Sequence, residues 1–303
     1  MKEHYSLKEL DKLANQIRQD IIDMLVKAGS GHSAGPLGMA DVFTALYFGG
    51  VVKHNPKKPA WPERDRVVLS NAHICPVQYA TLARAGYFPV KKLSTLRKLG
   101  SPLQGHSHIS LPGVENSGGP IAHGTSIAVG MAYAARYLST AHSSEESGAL
   151  KMSNRPGRPA YQVYCLVGDG GQDEGMMWES VMFAAKYRLD NLTYIMDRNY
   201  IQIDGYTEDV MPLEPLKAKY EAFNWHVIEV DGHNIEAIVD AVNQAKAVFG
   251  KPVIIIAHTI PGKGVDFVEW EYSWHGKAPK PKEAKKALRE LRTLRGKIRS
   301  EDE

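Results

Sequence analysis

Gly168-Asp169-Gly170 stands at the end of an apolar run, Val163-Tyr164-Cys165-Leu166-Val167, and Asn199-Tyr200-Ile201 follows after 28 further residues, 171 to 198. The apolar run reads as a buried strand, Glu174 to Tyr187 as a helix, and Leu192 to Met196 as a second strand leading straight to Asn199. Oxygen ligands thus fall at the carboxyl ends of two strands, where open α/β sheets bind their ligands. A hard cation such as Mg2+ takes about six oxygens, shared between a few protein groups, phosphate oxygens and water. Asp169 can supply one, the Asn199 side chain a second and a turn carbonyl nearby a third. Gly168 and Gly170 let backbone come close to a diphosphate. A bare Gly-Asp-Gly most often makes only a turn. The strand before each ligand and the Asn at this distance turn the reading toward a metal–diphosphate site.

Four histidines sit in turn-like loops beside glycines or strand ends: His32 in Gly-Ser-Gly-His, His73 in Ser-Asn-Ala-His, His106 in Gln-Gly-His-Ser and His275 in Trp-His-Gly-Lys-Ala-Pro. Any one of them alone is more often a structural hydrogen-bonding residue. Next to a diphosphate site, imidazoles can donate to phosphate oxygens or exchange protons with sugar hydroxyls near neutral pH.

The elements that must position these groups are legible as periodic runs. Leu7 to Ala28 carries apolar residues at helical spacing behind a capping Ser6, and Pro36-Leu37-Gly38 opens a helix running to Phe48. Val67-Val68-Leu69 reads as a strand ending in Asn71-Ala72-His73, followed by a helix from Ile74 to Ala85. Residues 100–124 show no period, and so long a loop within a domain is more often functional than not. A small-residue helix is expected from Thr125 to Leu138, then an exposed polar connector over 139–159. Beyond Asn199 come a helix near Leu213 to Phe223, a strand Trp225 to Val230, a helix Ile235 to Phe249 and a strand Val253 to Ala257. Strands alternating with helices predict an α/β fold with a doubly wound, mostly parallel sheet, here as one domain spanning 1–303.

A net charge of +3 gives no strong pull toward nucleic acid or a membrane surface, and neither is expected as a partner. The basic run Pro281 to Arg299 carries leucines at 288, 291 and 294 and is diluted by Glu283 and Glu290, so a helix docked by its leucine stripe is the expectation. Two cysteines, Cys75 and Cys165, make no disulfide framework or zinc site. The N-terminus has no apolar signal core, no run approaches a membrane span, and a cytoplasmic protein is expected.

The chain resembles the N-terminal, diphosphate-binding region of the transketolase family. The resemblance is carried by Ser30-Gly31-His32-Ser33-Ala34-Gly35-Pro36-Leu37-Gly38-Met39-Ala40, Leu69-Ser70-Asn71-Ala72-His73, Gly105-His106, Pro112-Gly113-Val114-Glu115, Gly119-Pro120, Gly168-Asp169-Gly170 with Glu174-Gly175, and Asp197 to Gly205. It implies thiamine diphosphate and Mg2+, or Ca2+ or Mn2+ in its place, as cofactors. Asp169, Asn199 and the carbonyl of Ile201 would hold the metal, with the Gly168–Gly170 turn and the Gly170 N–H on the diphosphate. His73 and His275 would reach the diphosphate side. His32 and His106, with His275, would line the sugar channel. Beside Gly119, the Ile121 carbonyl would accept from the aminopyrimidine amino group, Ile203 would pack on the thiazolium ring, and Glu174 would lie at a subunit interface facing the cofactor's activating carboxylate. Two departures stand out. The general metal motif has a second Asn where this chain has Tyr200, which matters little if the third ligand is a backbone carbonyl. Many transketolases read Gly-Pro-Leu-Gly-Gln-Gly where this chain has Gly119-Pro120-Ile121-Ala122-His123-Gly124, so His123 has no role by analogy.

A full transketolase has two further domains, and this chain reaches Glu303 just past the helix that would close the first. The resemblance therefore implies the N-terminal subunit of a split transketolase, moving a two-carbon ketol unit from a ketose or ketose phosphate to an aldose or aldose phosphate. It would act with a partner subunit carrying the pyrimidine-binding domain, as an α2β2 assembly, in the pentose phosphate pathway. The rivals are a subunit of another thiamine-diphosphate enzyme, deoxyxylulose-phosphate synthase-like or E1-type, and a non-catalytic cofactor-binding protein. Gly-Pro-Leu-Gly-Met-Ala after His32 and the Trp-His-Gly-Lys-Ala-Pro run favour transketolase over the first rival. The intact Asp169, Asn199 and histidines argue against the second.

Overall fold

The structure, a computed structural model, describes residues 5–138 and 159–293. Strands β1 (Arg66–Leu69), β2 (Val163–Gly168), β3 (Leu192–Arg198), β4 (His226–Asp231) and β5 (Val253–His258) form one wholly parallel sheet in the order β1-β2-β3-β5-β4. Because side chains alternate across a strand, each central strand feeds two cores. Tyr164 and Leu166 join one, with Val67, Leu69, Ile195 and Ile255. Val163, Cys165 and Val167 join the other, with Tyr194, Met196 and Ile254. The near-continuous apolar character of these strands is what burial on both faces demands.

Helices close each face. On the first lie α1 (Leu7–Ala28), α2 (Ala34–Gly38), α3 (Ala40–Phe48), α4 (Cys75–Ala85), α9 (Ile235–Ala247) and α10 (Pro281–Thr293). On the second lie α5 (His123–Tyr133), α6 (Gly175–Lys186) and α8 (Leu216–Ala222), and the short α7 (Thr207–Val210) follows β3. The doubly wound parallel sheet expected from the alternation is the observed architecture. Helix α1 begins with a reciprocal Ser6–Glu9 capping box and ends on Gly29 in the left-handed conformation, φ 69°.

Three local differences from the sequence reading have physical causes. The helix expected from Pro36 to Phe48 is two helices. Gly38 lies so close to the Ile260 carbonyl that an added Cβ would sit 2.9 Å from it, and the Gly262 N–H donates to the Ala34 carbonyl at 2.8 Å. The chain bends there to seat the loop after β5. Helix α5 starts at His123, two residues early, and passes into a π-helical stretch over Ala134–Leu138. Leu291 is buried as the leucine stripe of α10 requires and Leu288 packs partly against the core. Leu294 and most of the 139–159 connector lie outside the described residues. No helix among the described residues is long and apolar enough to cross a membrane.

Candidate active site

Four strands deliver their carboxyl ends to one place. β1 runs into Ser70-Asn71, β2 into Asp169, β3 into Asn199 and β5 into Thr259, and the register pairs Gly168 with Asp197 and Asp197 with Ala257. Around these ends lies a cavity of about 290 Å³.

Asp169 is buried at its inner wall. One carboxylate oxygen accepts from the Gly170 N–H at 2.8 Å. The other accepts from the Tyr200 N–H at 2.7 Å and from Arg198 Nη1 at 3.3 Å. Burial pushes its pKa up to about 6, against the opposing pull of Arg198. Asn199 is fixed by its neighbours: its Nδ2 donates to Asp197 Oδ2 at 2.8 Å, which leaves Oδ1 as the free-facing acceptor, shared with the Ile201 N–H at 3.1 Å. Asp197 is held in turn by the Thr259 hydroxyl at 2.6 Å, and burial raises its pKa to about 7. The Asp169 carboxylate and the Asn199 amide oxygen offer a divalent cation oxygen donors of the kind a hard ion takes. Among the described residues no group of three or more His, Cys, Asp or Glu could hold a metal ion by itself.

Tyr200 occupies the left-handed region at φ 64°, where Asn is the better-suited L-residue. Its ring lies under the Arg198 guanidinium, 4.1 Å from Cζ to the centroid, and its hydroxyl bonds His258 Nδ1 at 2.7 Å. Those contacts hold the turn that aims the Tyr200 N–H at Asp169. Ala122 presents a similar case at φ 61°, at the position where the common Gly-Pro-Leu-Gly-Gln-Gly pattern has glycine.

The same cavity is lined by a group of imidazoles. His32, His73 and His275 stand with ring centroids 5.1, 5.6 and 5.0 Å apart, and His106 completes the group. Hydrogen bonds from the Ser33 hydroxyl to the Lys277 carbonyl at 2.7 Å and the Trp274 carbonyl at 3.3 Å tie the His32 turn to the His275 loop. The Tyr79 hydroxyl, on α4, donates to the carbonyls of Gln104 and His106. Burial drives the His32 pKa down to about 4, reinforced by His275, His106 and Arg97. Burial first, then mutual repulsion, holds His73 well below the usual histidine range, and His106 and His275 are lowered as well. At neutral pH this is a wall of uncharged donor–acceptor groups.

Every residue expected at the site lines this one cavity except Glu174. His32, His73, His106 and His275 line it together with Gly168, Asp169, Gly170, Asn199, Ile201, Gly119, Ile121 and Ile203. Glu174 is exposed at the N-cap of α6, outside the cavity lining, and His123 is likewise exposed and outside it. Ile121 and Ile203 keep 49% and 66% of their surface exposed, so among the described residues nothing covers this apolar pair. Three residues of the site had no sequence signal strong enough to single them out. Asp197 lies one step inside the Asn199 ligand. Thr259 follows a strand that gave no motif. Asn71 is buried against Gly168, and neither its Nδ2 nor its Oδ1 has a hydrogen-bond partner. An amide orphaned in this way beside a glycine turn is a group waiting for a polar ligand.

The family model for the transketolase thiamine diphosphate binding domain matches residues 10–294. The chain is 42% identical to a 6-deoxy-6-sulfo-D-fructose transketolase subunit of Clostridium sp. (strain MSTE9), covering 88% of this chain and 90% of that one. It is 36% identical to an apulose-4-phosphate transketolase subunit of Phocaeicola vulgatus, with 93% of each covered. Human transketolase is 36% identical over 91% of this chain and 41% of its own length. The crystal structure of transketolase from Campylobacter jejuni superposes with a TM-score of 0.83 at 34% identity, over 95% of this chain and 43% of that one. The chain thus spans under half of the full-length transketolases it matches and nearly all of the proteins named as subunits. It belongs to the transketolase family.

Proposed function

We propose that this member of the transketolase family is the diphosphate-binding subunit of a heteromeric transketolase, transferring a two-carbon ketol unit between sugar phosphates. The observation that carries the reading is the shared cavity: an oxygen-rich metal set on the ends of β2 and β3 facing four neutral imidazoles. In this reading Asp169, Asn199 and the Ile201 carbonyl hold Mg2+, for which Ca2+ or Mn2+ can substitute. The Gly170 N–H, His73, His275 and the unpartnered Asn71 amide receive the diphosphate, and the Ile121 carbonyl and Ile203 side chain meet the cofactor's rings. When bound, thiamine diphosphate supplies the nucleophilic carbon and the electron sink for breaking the bond beside a ketose carbonyl.

The protein's share is to bind, orient and move protons. His32 and His106, uncharged because burial depresses their pKa, can each accept a hydroxyl proton of the donor sugar or donate to its carbonyl oxygen. His275 bridges the sugar and diphosphate walls. The exposed Ile121 and Ile203 support a partner chain over the mouth, one that carries the pyrimidine-binding half of the site, with Glu174 facing it in an α2β2 assembly. The relatives of matching length are named as subunits, which favours the same reading. A cytoplasmic setting accords with two buried, unpaired cysteines; a place in the pentose phosphate pathway is part of the same proposal.

The test is a coupled ketol-transfer assay on the chain co-expressed with candidate pyrimidine-domain subunits, comparing hydroxypyruvate with pyruvate as donor. Transfer from hydroxypyruvate only with a partner present is expected. Substantial transfer by the chain alone, or use of pyruvate in preference, would overturn it.

A further inference from the structure

Arg97 lies outside the cavity lining, on the loop that follows the 3-10 turn Val90–Thr95, and three observations single it out. Its backbone is left-handed at φ 59°, a conformation that an L-residue keeps only when its surroundings fix it. Its N–H donates to the Leu103 carbonyl at 2.8 Å, bringing it beside the loop that carries His106. Its guanidinium fills the space beside Gly105 and reaches van der Waals range of Gly31, whose own space is taken by Leu25. A Cβ added to Gly105 would lie 2.6 Å from both Nε and Nη2 and 2.9 Å from Cζ, and one added to Gly31 would lie 3.8 Å from Nη1. Each of those glycines immediately precedes a histidine of the cavity, His106 and His32. No acidic side chain among the described residues pairs with Arg97.

We propose that Arg97 is a positioning residue whose guanidinium spaces the Gly31-His32 and Gly105-His106 turns and so sets the aim of the two imidazoles on the sugar side of the site. The catalytic consequence rests on the ketol-transfer reading; the clamp itself does not. A flat, delocalised cation can lie against two main-chain segments where an ammonium cannot, so lysine is not an equivalent here. Charge acts in the same direction as shape. The charged or titratable groups acting on His32 are His275, His106 and Arg97, with the His73 ring beside it, and on His106 it is Arg97; among the described residues no carboxylate acts on either ring. A fixed positive charge behind both rings opposes their protonation and keeps them able to accept as well as donate.

Two variants of the full chain, Arg97→Gln and Arg97→Lys, separate shape from charge. Titration of the imidazole C–H signals by NMR should show the His32 and His106 midpoints rising by about half a unit or more in Arg97→Gln. They should stay in place in Arg97→Lys. In complex with the partner, both variants should lose roughly ten-fold in kcat/KM for the donor at unchanged thiamine diphosphate affinity. The acidic limb of the pH profile should move upward only in Arg97→Gln. Unmoved His32 and His106 midpoints in Arg97→Gln would overturn the proposal, as would wild-type kcat/KM in Arg97→Lys, or a kcat/KM loss tracking a loss of cofactor affinity. If the unaltered chain shows no transfer with any partner, the ketol-transfer reading fails, and the His32 and His106 C–H shifts, moved in both variants if Arg97 aims the rings and unmoved if it does not, still decide the clamp.

Discussion

Asp169 and Asn199, the proposed metal ligands, have their geometry set by residues outside the proposed coordination shell. Asp197 orients the Asn199 amide and is itself held by Thr259. Replacing Asp197 with Ala should leave Asn199 in place but free to turn. Divalent metal affinity in the presence of thiamine diphosphate should then fall about 10–100-fold, the usual cost of losing an outer partner. Bound Mn2+, counted by electron spin resonance, measures it; an affinity equal to wild type would remove Asp197 from the site. The histidine wall makes a second residue-scale prediction. Because burial holds the folded pKa of His32 near 4 against 6.5 for an ordinary histidine, the unfolded chain takes up protons first as pH falls. The contribution of His32 to stability is complete above about pH 6.5 and is lost as pH drops toward 4. Denaturant midpoints across that range should decline less steeply in His32→Asn than in wild type, and parallel curves would contradict the assignment. Asp169, Asn199 and the histidines were legible in the sequence because each sits in a turn next to glycine or a strand end. Asn71, Thr259 and Arg97 were not, because their roles arise only where separate strands and loops converge.

The elements that aim these residues are the strand ends and the turns that follow them. β1 is an edge strand, and its open side is closed by Asn116: the side-chain oxygen accepts from the Leu69 N–H at 3.1 Å and Nδ2 donates to the Leu69 carbonyl at 3.2 Å. One amide thus imitates a neighbouring strand just before Ser70-Asn71-Ala72-His73. Asn116→Ala should cost about 1–3 kcal/mol by leaving buried backbone groups unpaired, read as a lower denaturant midpoint at unchanged slope. It should also weaken diphosphate binding through His73; a variant as stable as wild type would show that the strand end needs no such cap. Gly124 plays the matching part for α5. A Cβ there would lie 2.6 Å from the Ser70 Cα, so Gly124→Ala must push the helix off the β1 end. A loss of about 1–3 kcal/mol is expected. Long periodic elements such as α1, β2 and α9 could be read from pattern alone. The break between α2 and α3 could not, since it answers to the Ile260 carbonyl far along the chain. The four-residue α7 is too short to show a period.

At the scale of the whole molecule, a wholly parallel sheet gathers its strand ends on one side and leaves that side incompletely covered. Among the described residues nothing roofs Ile121 or Ile203. A sheet doubly wound by helices supplies precision at its rim, and the rest of the catalytic apparatus is proposed to come from a partner. The alternation of strands and helices made the layered architecture legible, whereas the exposed shelf could be seen only once the loops were in place. Adding the partner should therefore bury the shelf. Hydrogen exchange at 119–124 and 201–206 should slow on complex formation, and unchanged exchange there would place the partner elsewhere.

The most direct test is calorimetric titration of thiamine diphosphate into the chain with its partner, with and without Mg2+, for wild type and Asp169→Asn. Binding by wild type that depends on Mg2+, and that weakens at least about a hundred-fold in Asp169→Asn, is the predicted result. Equal affinity with and without the metal, or an Asp169→Asn variant that binds as well as wild type, would contradict the claim that this chain grips the diphosphate through a cation.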